Sequence, residues 1–385
     1  MEFEFATAGR VVFGVGAARK IGSEVVQLGR RALVLTGARP ERTAELRRCL
    51  DQHHVTCRLF PVGGEPTTAL VQAGVEFARD SGCEVVVGIG GGSVIDAAKA
   101  IAALMTNGGE LLEYLEVIGR ARPLERPGAP CIAVPTTAGT GAEVTRNAVL
   151  GSPAHRLKVS LRSPFLLPRL ALVDPELTYS MPPVLTAATG LDALTQLLEA
   201  FVSRNANPLT DGFCREGLRR AGRSLAAAGA DGGNLSARED MCLASLCGGL
   251  ALANARLGAV HGIAGPFGGM FPAAPHGAVC GRLLPLVTAA NITLLQARQP
   301  GSVLLRRFDE AARLLTATDT ARAEEGAAWL RDLCRRMALP PLAAYGFDPE
   351  HLSELVSKSL AASSMRGNPV DLTPTDVASI LDQAR

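Results

Sequence analysis

Residues 83–99 read CEVVVGIGGGSVIDAAK, a β-branched run that meets closely set glycines and then a helix-like segment. Val85, Val86 and Val87 suit a buried strand. Gly88, Gly90, Gly91 and Gly92 free the backbone to take positive φ and to approach a ligand, and Ser93 stands where a helix would begin. Backbone N–H groups at such a turn, with the positive end of the helix dipole, form an anion site suited to a pyrophosphate. The spacing is neither G-x-G-x-x-G nor G-x-x-x-x-G-K-[ST], so what supports a nucleotide cradle is the order of strand, glycines and helix. A merely flexible glycine loop is the competing reading.

The segments on either side alternate in the same way. Arg31–Thr36 and Thr56–Val62 read as strands, while Ala17–Gly29, a stretch from about Arg42, and Thr67–Ser81 have helical spacing. Such alternation predicts a parallel sheet with helices on both faces and ligands at the carboxyl ends of the strands. Near the start, Gly14-x-Gly16 is followed by Arg19 where a dinucleotide fingerprint needs its third glycine, so it reads as a turn after an early strand. Downstream, a strand at Cys131–Val134 runs into Pro135, Thr136, Thr137 and Gly139-Thr140-Gly141. These offer hydroxyl and N–H groups to a ribose or nicotinamide, although Thr and Gly after a strand also form ordinary turns. Lys158 follows in a β-like segment, and Leu170–Val173 with Asp174-Pro175 closes the α/β part.

After Pro182-Pro183 the texture changes to long Ala-, Leu-, Arg- and Glu-rich helical segments. The predicted organisation is an α/β dinucleotide-binding domain over 1–181 and an all-helical domain over 182–385. In the first of these helices Asp192 and Gln196 share a face, with Glu199 on nearly the same side. His261 and His276 flank a Gly/Pro-rich turn. Asp, His and His are a common set for iron or zinc, and buried hydrogen-bonded histidines are the alternative.

Composition narrows the function classes. A formal net charge of +2 with no long Lys/Arg run gives little footprint for nucleic acid or an anionic membrane, and neither partner is expected. Nine scattered cysteines, mostly in apolar surroundings, suit reduced thiols in the cytoplasm rather than a disulfide framework. The opening MEFEFATAGRVVFG shows no secretory pattern, and no uninterrupted apolar stretch reads as long enough to span a bilayer.

GGGSVIDAAK, PTTAGTGAEVT, GLDALTQLLEAFVS and VHGIAGPFGGMFPAAPHG, in that order, resemble the iron-containing (group III) alcohol dehydrogenases of the dehydroquinate synthase-like superfamily. The resemblance implies an N-terminal dinucleotide domain, a C-terminal helical domain, and cofactor and metal meeting in a cleft. It implies that Gly37, Gly91, Gly92, Ser93, Asp96, Thr136, Thr137 and Lys158 serve NAD or NADP. Asn147, Lys158, His261 and His276 would be the catalytic set, with Asn147 approaching the substrate. Asp192, His261 and His276 match three of four metal ligands, for iron or zinc, and Gln196 occupies the fourth position, usually histidine. A further histidine, usual four residues after the first metal histidine, is Gly265 here. The aspartate that many NAD-preferring members carry after the second strand is Gly37, with Arg39 nearby, so a 2′-phosphate is not repelled.

The expected reaction is hydride transfer between NAD(P) and a small alcohol or aldehyde, assisted by a metal acting as Lewis acid, in a homo-oligomer. Alternatives are a metal-independent reductase resembling maleylacetate reductase, a lyase resembling dehydroquinate synthase, and a nucleotide-binding protein without turnover.

Overall fold

In the computed structural model, which describes residues 2–385, the chain divides into two compact units. One comprises Ala6–Thr137 with Gly141–Thr178. The other comprises Tyr179–Arg385 with Ala138–Thr140 and the residues up to Phe5.

The first unit alternates strand and helix. In chain order it contains β1 (Val11–Phe13), α1 (Ile21–Val25), β2 (Arg31–Thr36), α2 (Ala44–Gln52), β3 (Thr56–Pro61), α3 (Thr68–Asp80), β4 (Val85–Gly90), α4 (Gly92–Thr106), α5 (Leu111–Tyr114), β5 (Cys131–Pro135), β6 (Asn147–Ser152), β7 (Leu157–Arg162) and β8 (Leu170–Val173). Six strands form one parallel sheet in the order β1-β8-β5-β4-β2-β3, and β6 pairs antiparallel with β7 in a separate hairpin. Every residue of β4 is buried, as expected of a central strand covered on both faces. Leu33, Leu35 and Val86 pack with α3 and α4, whereas Ala32, Val34, Val85, Val87 and Ile89 pack with α1 and α2. The helix expected over Ala17–Gly29 is instead a 3-10 turn at Ala17–Lys20 followed by the short α1.

The glycines of the organising stretch work differently from expectation. None of Gly88, Gly90, Gly91 and Gly92 has positive φ. Their value is closeness. A Cβ on Gly88 would lie 2.9 Å from that of Ala98, and one on Gly90 would collide with the Val94 side chain. The missing side chains let α4 lie directly on the strand it follows. Lys99 on α4 is buried, donates to the Ala142 carbonyl and the Thr145 hydroxyl at 2.9 Å each, and pairs with Asp96 at 3.0 Å. The other Asp96 oxygen accepts from the Val149 N–H at 2.9 Å, which ties the hairpin to α4.

The second unit is helical: α6 (Pro183–Phe201), α7 (Pro208–Ala230), α8 (Leu235–Ala255), α9 (Ala259–Met270), α10 (His276–Arg298), α11 (Val303–Thr316), α12 (Ala323–Arg336), α13 (Leu352–Ala361) and α14 (Pro374–Ala384). Helix α6 is the hub, packed against α7, α8 and α10 and buried along most of its length. Pro183 and Pro208 sit at first helical positions, where a missing N–H costs nothing, and the Asn207 side chain caps α7. Helix α10 is long and apolar enough to cross a membrane by length and composition, despite Arg282 and Pro285, and about two thirds (67%) of its apolar window is buried within the protein. It is a core helix of the bundle.

Candidate active site

Strand register decides what the α/β unit offers a ligand. Thr36 lies beside Ile89, and Gly90 beside Pro135, so the chain leaves β2, β4 and β5 at neighbouring points of one sheet edge. Gly37, Gly91–Ser93 and Thr136–Thr137 therefore line adjacent carboxyl ends. From β2 the chain moves outward to β3, while from β4 it moves the opposite way to β5, which makes the gap between β2 and β4 a topological switch point. No side chain caps α4 at Gly91, leaving its first N–H groups for a ligand. A Cβ on Gly91 would stand 3.4 Å from Thr137, so the two turns nearly touch. A Cβ on Gly37 would meet nothing within 4 Å, and Arg39 is exposed.

Three other predicted residues are placed less directly. Asp96 has both oxygens engaged by Lys99 and Val149, as described above. Asn147 begins β6 opposite Arg162, while Lys158 lies opposite Gly151, four residues further along the ladder, or roughly 13 Å. The Lys158 ammonium pairs with Glu65 at 3.0 Å. Asn147 and Lys158 are thus not in mutual contact.

The helical unit gathers the metal candidates. His261 lies in the first turn of α9, whose N-terminal N–H groups are satisfied from elsewhere in the chain. Asn368 accepts from Ala259 at 3.1 Å, and Glu199 accepts from Val260 at 2.6 Å and from His261 at 3.4 Å. A carboxylate suits that position because it faces the positive end of the helix. Gly258 makes room for it, since a Cβ there would be 2.9 Å from Glu199 Oε1. The same carboxylate accepts from His261 Nδ1 at 2.6 Å, which turns Nε2 toward Asp192 Oδ1 at 3.3 Å. Asp192 and Glu199, two turns apart on α6, hold the imidazole between them.

His276 opens α10, with its Nε2 3.9 Å from Asp192 Oδ1 and its ring 5.5 Å from that of His261. Gly277 permits this approach, because a side chain there would strike the Ala188 carbonyl on α6. One turn on, Cys280 Sγ stands 3.6 Å from His276 Nε2 and 3.9 Å from His261 Nε2. Ligand atoms of Asp192, His261, His276 and Cys280 all lie within 4.8 Å of one another. The Asp192 and His261 side chains are 3% and 8% exposed and that of His276 30%, so the cluster opens to solvent beside His276.

Gln196 is buried, and its amide oxygen has no hydrogen-bond partner. That oxygen lies against α8, 3.3 Å from where a Cβ on Gly248 would stand. Gly265, one turn after His261 on α9, faces open space.

The electrostatics suit a cation. Burial favours the neutral carboxyl of Asp192, yet the hydrogen bond from His261 and the charge of His276 bring it below its ordinary range. Burial lowers both histidines, but Cys280 and Asp192, joined at His261 by Glu199, hold His261 well above and His276 above the ordinary imidazole range. Burial raises the Cys280 thiol, and the two imidazoles outweigh it and bring the thiol down. Two carboxylates, two imidazoles and a thiol in one buried cluster fit a divalent ion, with Glu199 orienting His261 from behind.

Sequence reasoning noted Glu199 without giving it a role and missed Cys280, which was counted among nine reduced thiols. All nine are free, six of them buried. The available signal was the four-residue step from His276 to Cys280, the same spacing that singled out Asp192 and Gln196.

Comparison with known proteins agrees with this layout. The iron-containing alcohol dehydrogenase family model matches residues 8–175, and the C-terminal model of the same family matches 186–385. Alcohol dehydrogenase 4 of Saccharomyces cerevisiae is 34% identical over 97% of this chain and 96% of its own. The NAD-dependent methanol dehydrogenase of Bacillus methanolicus is 32% identical over 97% of each. A solved 1,3-propanediol oxidoreductase superposes with a TM-score of 0.91 over the whole of both chains at 31% identity. With family models covering both units and full-length relatives above 30% identity, this chain belongs to the iron-containing alcohol dehydrogenase family.

Proposed function

We propose that the protein transfers a hydride between a nicotinamide dinucleotide and a small alcohol or aldehyde, with a divalent metal held by Asp192, His261 and His276. The observation that carries this reading is the convergence of those three side chains in one buried cluster, with Glu199 bonded to the outer nitrogen of His261. A bound metal supplies Lewis-acid polarisation of the substrate oxygen, worth several kcal/mol. The chain does the rest. Glu199 fixes the His261 tautomer so that Nε2 stays available, and the uncapped turn at Gly91–Ser93 receives the pyrophosphate. With Gly265 in place of a histidine one turn after His261, this reading passes the proton to solvent on the open side beside His276.

A full-length relative named as an NAD-dependent methanol dehydrogenase supports a nicotinamide cofactor. The vacancy at Gly37 and the exposed Arg39 favour acceptance of NADP as well, because no carboxylate opposes a 2′-phosphate. Nine free thiols suit a reducing compartment such as the cytoplasm.

The test is nicotinamide absorbance with short primary alcohols and with aldehydes, for protein loaded with iron or zinc and for protein stripped by chelator. Turnover that disappears on stripping and returns on reloading is expected. Undiminished turnover after verified removal would favour the metal-independent reductase.

A further inference from the structure

Metal ligation by Asp192, His261 and His276 leaves a fourth protein donor to be found, and the residue that takes the fourth position in the sequence pattern is a neutral amide. Gln196 keeps its oxygen against Gly248 on α8. Cys280 instead sits beside both imidazoles.

The distances can be compared with a definite shape. Zinc bonds of about 2.0–2.3 Å to nitrogen, oxygen and sulfur in a tetrahedron place neighbouring ligand atoms about 3.3–3.6 Å apart. Here Asp192 Oδ1 to His261 Nε2 is 3.3 Å, Cys280 Sγ to His276 Nε2 is 3.6 Å, and Cys280 Sγ to His261 Nε2 is 3.9 Å. Asp192 Oδ1 to His276 Nε2 is also 3.9 Å. The two shorter edges already match, the two at 3.9 Å must close by roughly half an ångström, and the remaining pairs lie within 4.8 Å. The sulfur is fully buried, and nothing else in the reaction uses it.

We infer that Cys280 is a metal ligand in this protein, the fourth protein donor of an Asp192–His261–His276–Cys280 site that prefers zinc or cobalt to iron and takes the substrate oxygen as a fifth donor on the open side beside His276. The inference rests on the metal-assisted reading above and goes beyond it by naming the fourth donor. A thiolate and a carboxylate together neutralise a divalent charge, which an Asp, two His and an amide leave half unmatched. Thiolate is a donor that zinc takes readily, and cobalt(II) stands above iron(II) in affinity for sites of nitrogen, oxygen and sulfur. Losing a direct donor should cost at least the roughly 10- to 100-fold in affinity typical of losing an outer-shell partner.

Cobalt(II) reports sulfur ligation directly, because cobalt bound to thiolate shows an intense near-ultraviolet charge-transfer band besides its visible ligand-field bands. The full chain, stripped and titrated with cobalt, should show both at one equivalent. Cys280→Ser should keep ligand-field bands, lose the charge-transfer band and bind zinc at least tenfold more weakly, with unchanged circular dichroism. Protein purified from medium containing equal iron and zinc should carry more zinc. If Cys280→Ser takes up no cobalt, the double variant Cys280→Ser/Gln196→His should restore uptake without the band. Restoration with the band intact would place the sulfur elsewhere and overturn the proposal. Wild-type protein showing ligand-field bands alone would overturn it too, while leaving metal assistance standing. Failure of the wild type to bind any metal would end both.

Discussion

At the carboxyl edge of the sheet the turn at Gly91–Ser93 offers main-chain N–H groups, whereas in the helical unit the cluster is built of side chains. The difference teaches where each region is vulnerable. A main-chain site survives side-chain replacement as long as helix and strand stay close, because N–H groups are present whatever the residue. A side-chain site survives small shifts in packing but not the loss of a donor.

The sharpest break should come on the side-chain side. His276→Ala removes an imidazole from the first turn of α10 and should lower kcat/KM roughly 10³-fold, the scale of several kcal/mol of lost polarisation. Metal content measured beside the kinetics separates loss of the ion from loss of the histidine.

On the main-chain side a buried charge gives the next largest effect, and it depends on pH. Glu143 is buried at the start of the segment that Lys99 clasps, and burial pushes its carboxyl up to about 7. The folded chain therefore keeps a proton that the unfolded chain releases near pH 4.5. The resulting stability is fully present below that pH and disappears as pH rises through about 7, a swing of about 3 kcal/mol. Glu143→Gln cannot ionise, so denaturation midpoints should show it gaining on the wild type at pH 8 and not at pH 4.

Gly90→Ala tests the main-chain argument directly. The added methyl would collide with Val94, which should cost about 1–3 kcal/mol of stability and weaken dinucleotide binding. The double variant Gly90→Ala/Val94→Ala should recover most of both. Failure to recover would mean that the glycine serves something other than closeness.

How much of this was legible in the sequence differs between the two regions for the same reason. The order of strand, glycines and helix at Val85–Thr106 could be read because β-branched residues, glycines and a helical repeat each leave a local signature. What Gly88 and Gly90 are for could not, since their collision partners Ala98 and Val94 are known only once α4 lies on β4. Asp192, His261 and His276 could be listed from residue type and family resemblance. The pairing of Glu199 with His261 spans 62 residues and becomes visible only when the head of α9 meets the Glu199 carboxylate. Cys280 was hidden for another reason: a thiol in an apolar stretch has the same sequence signature whether it fills a core or faces two imidazoles. The apolar weight of helix α10 is hard to see in the sequence because Arg282 and Pro285 interrupt the run.

Two milder substitutions refine the comparison. Glu199→Gln keeps the shape behind His261 but removes the charge, and should weaken metal binding about 10- to 100-fold in a competition titration. A loss equal to that of His276→Ala would make Glu199 more than an orienting group. Gly37→Asp fills open space at the end of β2 and should shift the NAD to NADP preference by roughly tenfold toward NAD, read as a ratio of kcat/KM values. An unchanged ratio would show that the adenosine ribose lies away from that turn.

The Glu199 carboxylate accepts from two amides at the head of α9 as well as from the His261 ring. Folding thus fixes one ligand's aim before any ion arrives. An incoming cation has fewer chain conformations to freeze at that donor, which favours affinity. The unloaded protein should keep its shape, and depletion would leave a population ready to resume work without refolding.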